Sequence, residues 1–173
     1  VGIFGAIDTS ASGLTAQRLR LDLIANNIAN INTTRTGQTT AAGNPIPYRR
    51  QMAVFVPRPA TPGFARILND NLQRLNQGKL LDGAEAQGVG QGVQVAAIVA
   101  DQSPFRLEYD PESPDAAKPG DPEVPAGYVR LPNVNIVTEM VDMVSASRAY
   151  EANVTVLNAS KSMLTKAMEI GRG

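Results

Sequence analysis

The sequence predicts an α+β fold: long N- and C-terminal helices paired as a coiled-coil inner domain, with a small β-rich domain inserted between them. Three observations point to it. All twelve prolines fall between Pro45 and Pro132. Six of the eight aromatic residues fall between Tyr48 and Tyr128. Apolar residues recur at alternating spacings of three and four at both ends of the chain. Proline removes a helix hydrogen bond and clashes with the preceding turn, so the proline-free ends are suited to long helices and the middle is not. The expected division is 1–34 with 133–173 for the helical domain and 35–132 for the β-rich middle with its long loops.

At the N-terminal end, Phe4, Ile7, Ala11, Leu14, Arg18, Leu21, Ala25 and Ile28 form one such line, widened by Ile3, Ile24 and Ile31. Only Arg18 breaks it, and Gly13 is expected to weaken the helix locally. The pattern predicts an amphipathic helix over residues 3–30. At the C-terminal end the line runs through Ile136, Met140, Met143, Ser147, Tyr150, Val154, Leu157, Lys161, Leu164 and Met168. Asn133 or Asn135 can cap its start and Gly171 can end it, which predicts a helix of roughly 35 residues, about 50 Å long. Burying a large apolar side chain contributes about 1.5 to 3 kcal/mol, whereas ordering each residue costs about 1 to 2 kcal/mol of backbone entropy. A single exposed stripe therefore does not hold such a helix, and each terminus needs the other as partner.

In the middle, Tyr48–Val56, Gly92–Val99, Phe105–Tyr109 and Tyr128–Leu131 read as strands of a small sheet or barrel, separated by glycine and proline. Phe64–Leu80 carries Phe64, Ile67, Leu68, Leu72 and Leu75 at helical spacing and predicts a short helix. Thr33–Asn44 and Asp110–Ala126 read as exposed polar loops.

Composition narrows the chemistry. With no histidine and no cysteine, the chain lacks the commonest general base, the commonest metal ligand, disulfides and every Ser-His-Asp or Cys-His arrangement. The formal charge of zero gives no overall pull toward nucleic acid or an acidic membrane surface. No stretch approaches the roughly 18 to 20 apolar residues of a membrane span, so direct membrane insertion is not expected. Val1–Ser10 has no signal-peptide pattern, so any export is expected to use another route. No cofactor, metal site or catalytic residue is expected.

Four features admit more than one reading. The stretch Ala25–Thr33, ANNIANINT, crowds Asn26, Asn27, Asn30 and Asn32 into one helix end. That is either a plain helix terminus or an amide-rich contact surface between subunits, since asparagine both ends helices and hydrogen-bonds neighbours. The acidic set Asp110, Glu112, Asp115, Asp121 and Glu123 fits no calcium-loop spacing, and its interleaved prolines favour a stiff solvated loop. Asp101 and Glu108 could be offered as a glycosidase pair, but no tryptophan sugar platform accompanies them. Residues 35–79 carry a formal charge of +6 and residues 82–123 one of −7. Those charges either neutralise each other within the chain or set the register between copies.

Five blocks carry a resemblance: TAQRLRLDLIANNIANINT at Thr15–Thr33, PYRRQ at Pro47–Gln51, YDPESPDA at Tyr109–Ala116, GYVRLPNVNIVTEMVDMVSASRAYEANV at Gly127–Val154, and LNASKSM at Leu157–Met163. Over nearly its whole length the chain resembles the flagellar rod and hook axial proteins, and among them the proximal-rod components. The segments Thr36–Ile46 and Asp115–Ala126 are longer than that pattern. The resemblance implies a structural role without catalysis: helical termini lining a tube, a β-rich outer layer, and export through the flagellar type III apparatus without signal cleavage. It implies as partners other copies of the chain, neighbouring proximal and distal rod subunits and the rod base adaptor. Leu14, Leu21, Ile28, Met140, Met143, Tyr150, Val154, Leu157 and Leu164 are then expected to carry helix pairing or subunit contact. Asn26, Asn27, Asn30, Arg148 and Asn153 are the expected polar contacts. A soluble coiled-coil adaptor or export chaperone is the alternative; it would need no β-rich middle.

Overall fold

The structure, a computed structural model, describes residues 3–58, 91–119, 121 and 124–171. Its elements run α1 (Ile3–Ala29), β1 (Gln51–Pro57), β2 (Val93–Ala100), β3 (Arg106–Tyr109), β4 (Tyr128–Leu131) and α2 (Ile136–Ile170). The helix expected at Phe64–Leu80 lies outside the described residues.

Local chemistry sets the ends of the helices. Of the two candidate caps for α2 it is Asn135 that serves, its side-chain oxygen accepting from the backbone N–H groups of Val137 and Thr138. At the other end the Gly171 N–H donates to the Ala167 and Glu169 carbonyls. The end of α1 is turned by its asparagines: the Asn30 amide donates to the Asn26 carbonyl at 2.9 Å and to the Asn26 side chain at 3.0 Å. For Asn26 and Asn30 the plainer reading, a helix terminus, describes what these bonds do.

The two helices pack together and run antiparallel. Gly13 lies against the Asn153 side chain and Asn27 bonds to Glu139, so fourteen residues on α1 match fourteen on α2 in the opposite direction. The packed face of α1 is Gly13, Ala16, Arg20, Leu23 and Asn27, where Ala16, Leu23 and Asn27 are buried. This face has the same three-and-four spacing as the line through Leu14, Leu21 and Ile28, but small and polar residues carry it. On α2 the corresponding face is Glu139, Asp142, Ala146, Ala149 and Asn153, with Ala146 fully buried. Gly13 is what lets the helices approach here, because a Cβ on it would stand 3.0 Å from the Asn153 side-chain oxygen.

Among the described residues the β segment forms two separate two-stranded antiparallel sheets, β1 with β2 and β3 with β4, in place of one sheet or barrel. In the first, Gln51 pairs with Ala100 and Pro57 with Val93, with a register shift between Val54 and Phe55. The stretches expected as exposed loops are partly inside. Asn44, Ala117 and Val124 are buried, and Asn44 explains it, because its side chain accepts from the Lys118 N–H and donates to Asp121. Thr34 and Arg35 both bond to Asp115, which ties the two loops into one body.

Candidate functional site

The strand β1 begins with Gln51, the last residue of the PYRRQ block, and Tyr48, Arg49 and Arg50 just before it are used with it where β1 meets the two helices. Asn27 projects from α1 into this junction and is 1% exposed. Its Nδ2 donates to the Gln51 carbonyl at 2.9 Å and to Glu139 Oε2 at 3.1 Å. Its Oδ1 accepts from the Gln51 N–H at 2.9 Å and the Tyr48 hydroxyl at 2.8 Å. The amide thus behaves as a strand neighbour for Gln51, and its full donor and acceptor capacity is spent inside the chain.

Arg50 supplies the charge. Its Nε donates to Glu139 Oε1 at 2.5 Å, its Nη2 to Asp142 Oδ2 at 3.2 Å, and its Nη1 lies 3.7 Å from Asp101. Arg20 on α1 takes the other Asp142 oxygen at 2.8 Å. Burial pushes the Arg50 pKa down, but the hydrogen bond and charge of Glu139, with Asp142 and Asp101, outweigh it and hold the guanidinium more firmly protonated than usual. Burial first, and then the Glu139 charge, raises the Tyr48 phenol, which keeps it a donor. Hydrogen bonds from the Ser103 hydroxyl and backbone N–H lower Asp101.

Below the network Asn133 closes the approach to α2. It accepts from the Arg50 N–H at 2.8 Å and donates to the carbonyls of Asp101 and Ser103. Arg49 reaches the same two carbonyls and lies over the Phe105 ring, 4.2 Å from its centre. A cavity of about 320 Å³ opens beside the network, its wall completed by Leu23, Ile24, Met52, Ala53 and Phe55. Every acid here faces a cation already in place, so the arrangement offers no general base or nucleophile; it fastens three stretches of chain to one another.

The expected contact residues distribute unevenly. Asn27 is in the junction, Asn153 sits beneath Gly13, and Asn26 reaches the Tyr48 hydroxyl at 3.2 Å. Leu14, Leu21, Ile28, Met143, Val154, Leu157 and Leu164 are half-buried, whereas Met140, Tyr150 and Arg148 are exposed. Arg20, Tyr48, Arg50, Glu139 and Asp142 were not expected, although PYRRQ marked two of them. The acids of the loop are engaged as well: Asp115 by Thr34 and Arg35, Asp121 by Asn44 and Arg130. The pairs Arg35–Asp115 and Arg50–Asp101 join the basic segment to the acidic one within the chain, so neutralisation is at least partly internal.

Two family models match. Residues 7–35 match that of the flagella basal body rod protein, and residues 126–170 that of the flagellar basal body rod FlgEFG protein C-terminal region. Flagellar basal-body rod protein FlgC of Borreliella burgdorferi is 48% identical over 173 residues, covering all of both chains. The chain belongs to the FlgC family of flagellar basal-body rod proteins. FlgC of Bacillus subtilis is 43% identical over 98% of each chain, and FlgC of Salmonella typhimurium 34% over 99% of this chain and 100% of its own. The FlgC family is structural and non-enzymatic. The two models divide the junction: Arg20 and Asn27 fall in one match, Glu139 and Asp142 in the other, and Tyr48 and Arg50 in neither.

Proposed function

We propose that this chain is a subunit of the proximal flagellar rod, polymerising through its terminal helices into a torque-transmitting shaft that surrounds an export channel. The observation that carries this reading is that pairing α1 with α2 uses their small and polar faces and leaves large apolar side chains outside. On α2, Ile136, Val137, Met140, Val141 and Val144 are between 46% and 66% exposed. Exposed apolar surface of this kind marks a contact surface, and a heterologous contact that does not close on itself propagates into a filament.

In this reading residues 1–34 and 133–173 build the shaft, and 35–132 form its outer layer. The line Leu14, Leu21 and Ile28, with Met140, Met143, Tyr150, Val154, Leu157 and Leu164, meets neighbouring copies and neighbouring proximal and distal rod subunits. Arg148 and Asn30 are polar contacts at its edge. The chain reaches the periplasmic rod through the flagellar type III export apparatus without a cleaved signal, and the innermost copies meet the rod base adaptor. The test is Val141→Asp, a change at a side chain 65% exposed. The variant is expected to keep the circular dichroism of the parent, to be absent from isolated basal bodies and to leave cells non-motile. Normal swimming with the variant present in basal bodies would overturn the reading.

A further inference from the structure

Among the described residues, internal ion pairing leaves two groups of opposite charge on the outer loops unmatched. The first lies at a cavity of about 270 Å³ between the turn-rich segment 36–46 and the loop 114–118. Arg35 and Lys118 line it together with Gln38, Thr39 and Asn44, and among the described residues no carboxylate does. Both cations are set in place by their neighbours. Asn44, 3% exposed, accepts from the Lys118 N–H at 3.0 Å, while Arg35 donates through Nε to Asp115 and through Nη2 to the Pro114 carbonyl. The Arg35 side chain is nevertheless 60% exposed. The Lys118 ammonium is exposed too, and among the described residues it has neither an ion pair nor a hydrogen bond.

The second group is Asp110 and Glu112, in the YDPESPDA block. Both are exposed, and among the described residues neither carboxylate has an ion pair or hydrogen bond. Their turn is held from several sides. The Asp110 N–H donates to the Gly127 carbonyl at 3.1 Å and the Ser113 N–H to the Asp110 carbonyl at 3.3 Å. The Tyr109 ring packs edge-on against Tyr128 with 5.1 Å between centres, and Gly127, at φ +88°, lies so close that a Cβ on it would stand 3.2 Å from that ring. A turn fixed in this way presents its two negative charges with little further ordering to do on contact.

We propose that the Arg35–Lys118 cavity receives the Asp110–Glu112 turn of a neighbouring copy of this chain, an ionic contact between outer layers made separately from the helices. Charge complementarity selects the occupant. Two cations on a surface without an acid meet two acids without a cation, and the bonds of the turn hold those acids off the cavity of their own chain. Cavity and turn are different surfaces, so copies related by one repeated step each give a turn and receive one. This inference rests on the rod reading above, which sets many copies side by side, and adds a contact to it.

Zero-length coupling tests it. Isolated basal bodies carrying the full-length chain are treated with a water-soluble carbodiimide, which joins an ammonium to a carboxylate where the two touch. Bands containing the chain are digested and read by mass spectrometry. The expected product is a dimer of this chain with Lys118 joined to Asp110 or Glu112, and it is expected to be lost in Asp110→Asn/Glu112→Gln. Lys118 joined to those acids only within the monomer would place the pair inside one chain and overturn the proposal. So would dimers that persist through another carboxylate in the double variant, or Lys118 joined to a different protein. A chain present in basal bodies with Lys118 unjoined would overturn this contact and leave the rod reading intact; absence of the parent chain from basal bodies would overturn both. If the double variant is not incorporated, the linked peptides of the parent decide by themselves, because they name the carboxylate.

Discussion

Asn27 and Glu139, one near each end of the chain, share a hydrogen bond of 3.1 Å in a place where they are 1% and 0% exposed. Neither side chain is satisfied by its own helix. The Asn27 amide needs the backbone of Gln51, and the Glu139 carboxylate needs the guanidinium of Arg50. The two termini and the strand between them therefore have to be in place together.

Arg50→Ala leaves Glu139 buried without its cation. Breaking a buried pair from one side costs about 3 to 5 kcal/mol. The expected result is a lower urea midpoint at pH 7, and a loss in Arg50→Ala/Glu139→Gln smaller than the sum of the single losses.

Asn27→Ala strands the N–H and carbonyl of Gln51, each at a cost of about 1 to 3 kcal/mol. Asn26→Ala, at an exposed position where the side chain donates to Tyr48 at 3.2 Å and accepts from Asn30 at 3.0 Å, is expected to cost about 1 kcal/mol or less. Comparable losses in urea unfolding for the two variants would contradict the pairing described.

Gly92 sits at φ +81° where β2 passes α1, and a Cβ there would stand 2.2 Å from the Ser12 Oγ. That hydroxyl also accepts from the Val93 N–H at 3.0 Å. Gly92→Ala is expected to destabilise by more than about 1 kcal/mol from the backbone conformation and the clash together. In a Ser12→Ala background, which lacks the hydroxyl, the same Gly92→Ala change should cost less by the part due to the clash, as read from thermal unfolding.

The folded chain holds Asp115 below the usual carboxylate range, first through the Thr34 hydroxyl and then Arg35, and Asp101 below it through Ser103. For a lowered folded pKa, the stabilisation is complete above the unfolded value of about 3.9 and is lost as pH falls through the folded one. Urea midpoints are expected to drop between pH 5 and pH 3. Asp115→Asn and Asp101→Asn should each make that drop shallower.

Features set by local chemistry were legible in the sequence. The Asn135 cap, the stop at Gly171 and the four strands follow from short-range rules, and the strands fall within about three residues of their expected limits. The face on which the helices meet was not legible in the same way. Two lines with the same spacing run along α1, and hydropathy favours Leu14, Leu21 and Ile28 over Gly13, Ala16, Arg20, Leu23 and Asn27. The second line wins because small side chains permit close approach and its polar members find partners on other segments. Glu139 reads as a solvent-facing carboxylate in a helix until Arg50, 89 positions earlier, is known to lie beside it. Gly13 read only as a place where the helix weakens, and the side chain of Asn153 that packs on it, 140 positions later, could not be read from its neighbours.

The helices run in opposite directions, so the last turn of α1 and the first turn of α2 lie at the same end. The polypeptide between them therefore leaves and returns at one place, although β1 and β2 fold back along α1 as far as Ser12. Residues added to or removed from that excursion leave the length of the helix pair unchanged. In the rod reading proposed above, the outer dimensions of such a subunit are free to diverge among relatives while its longitudinal repeat is preserved.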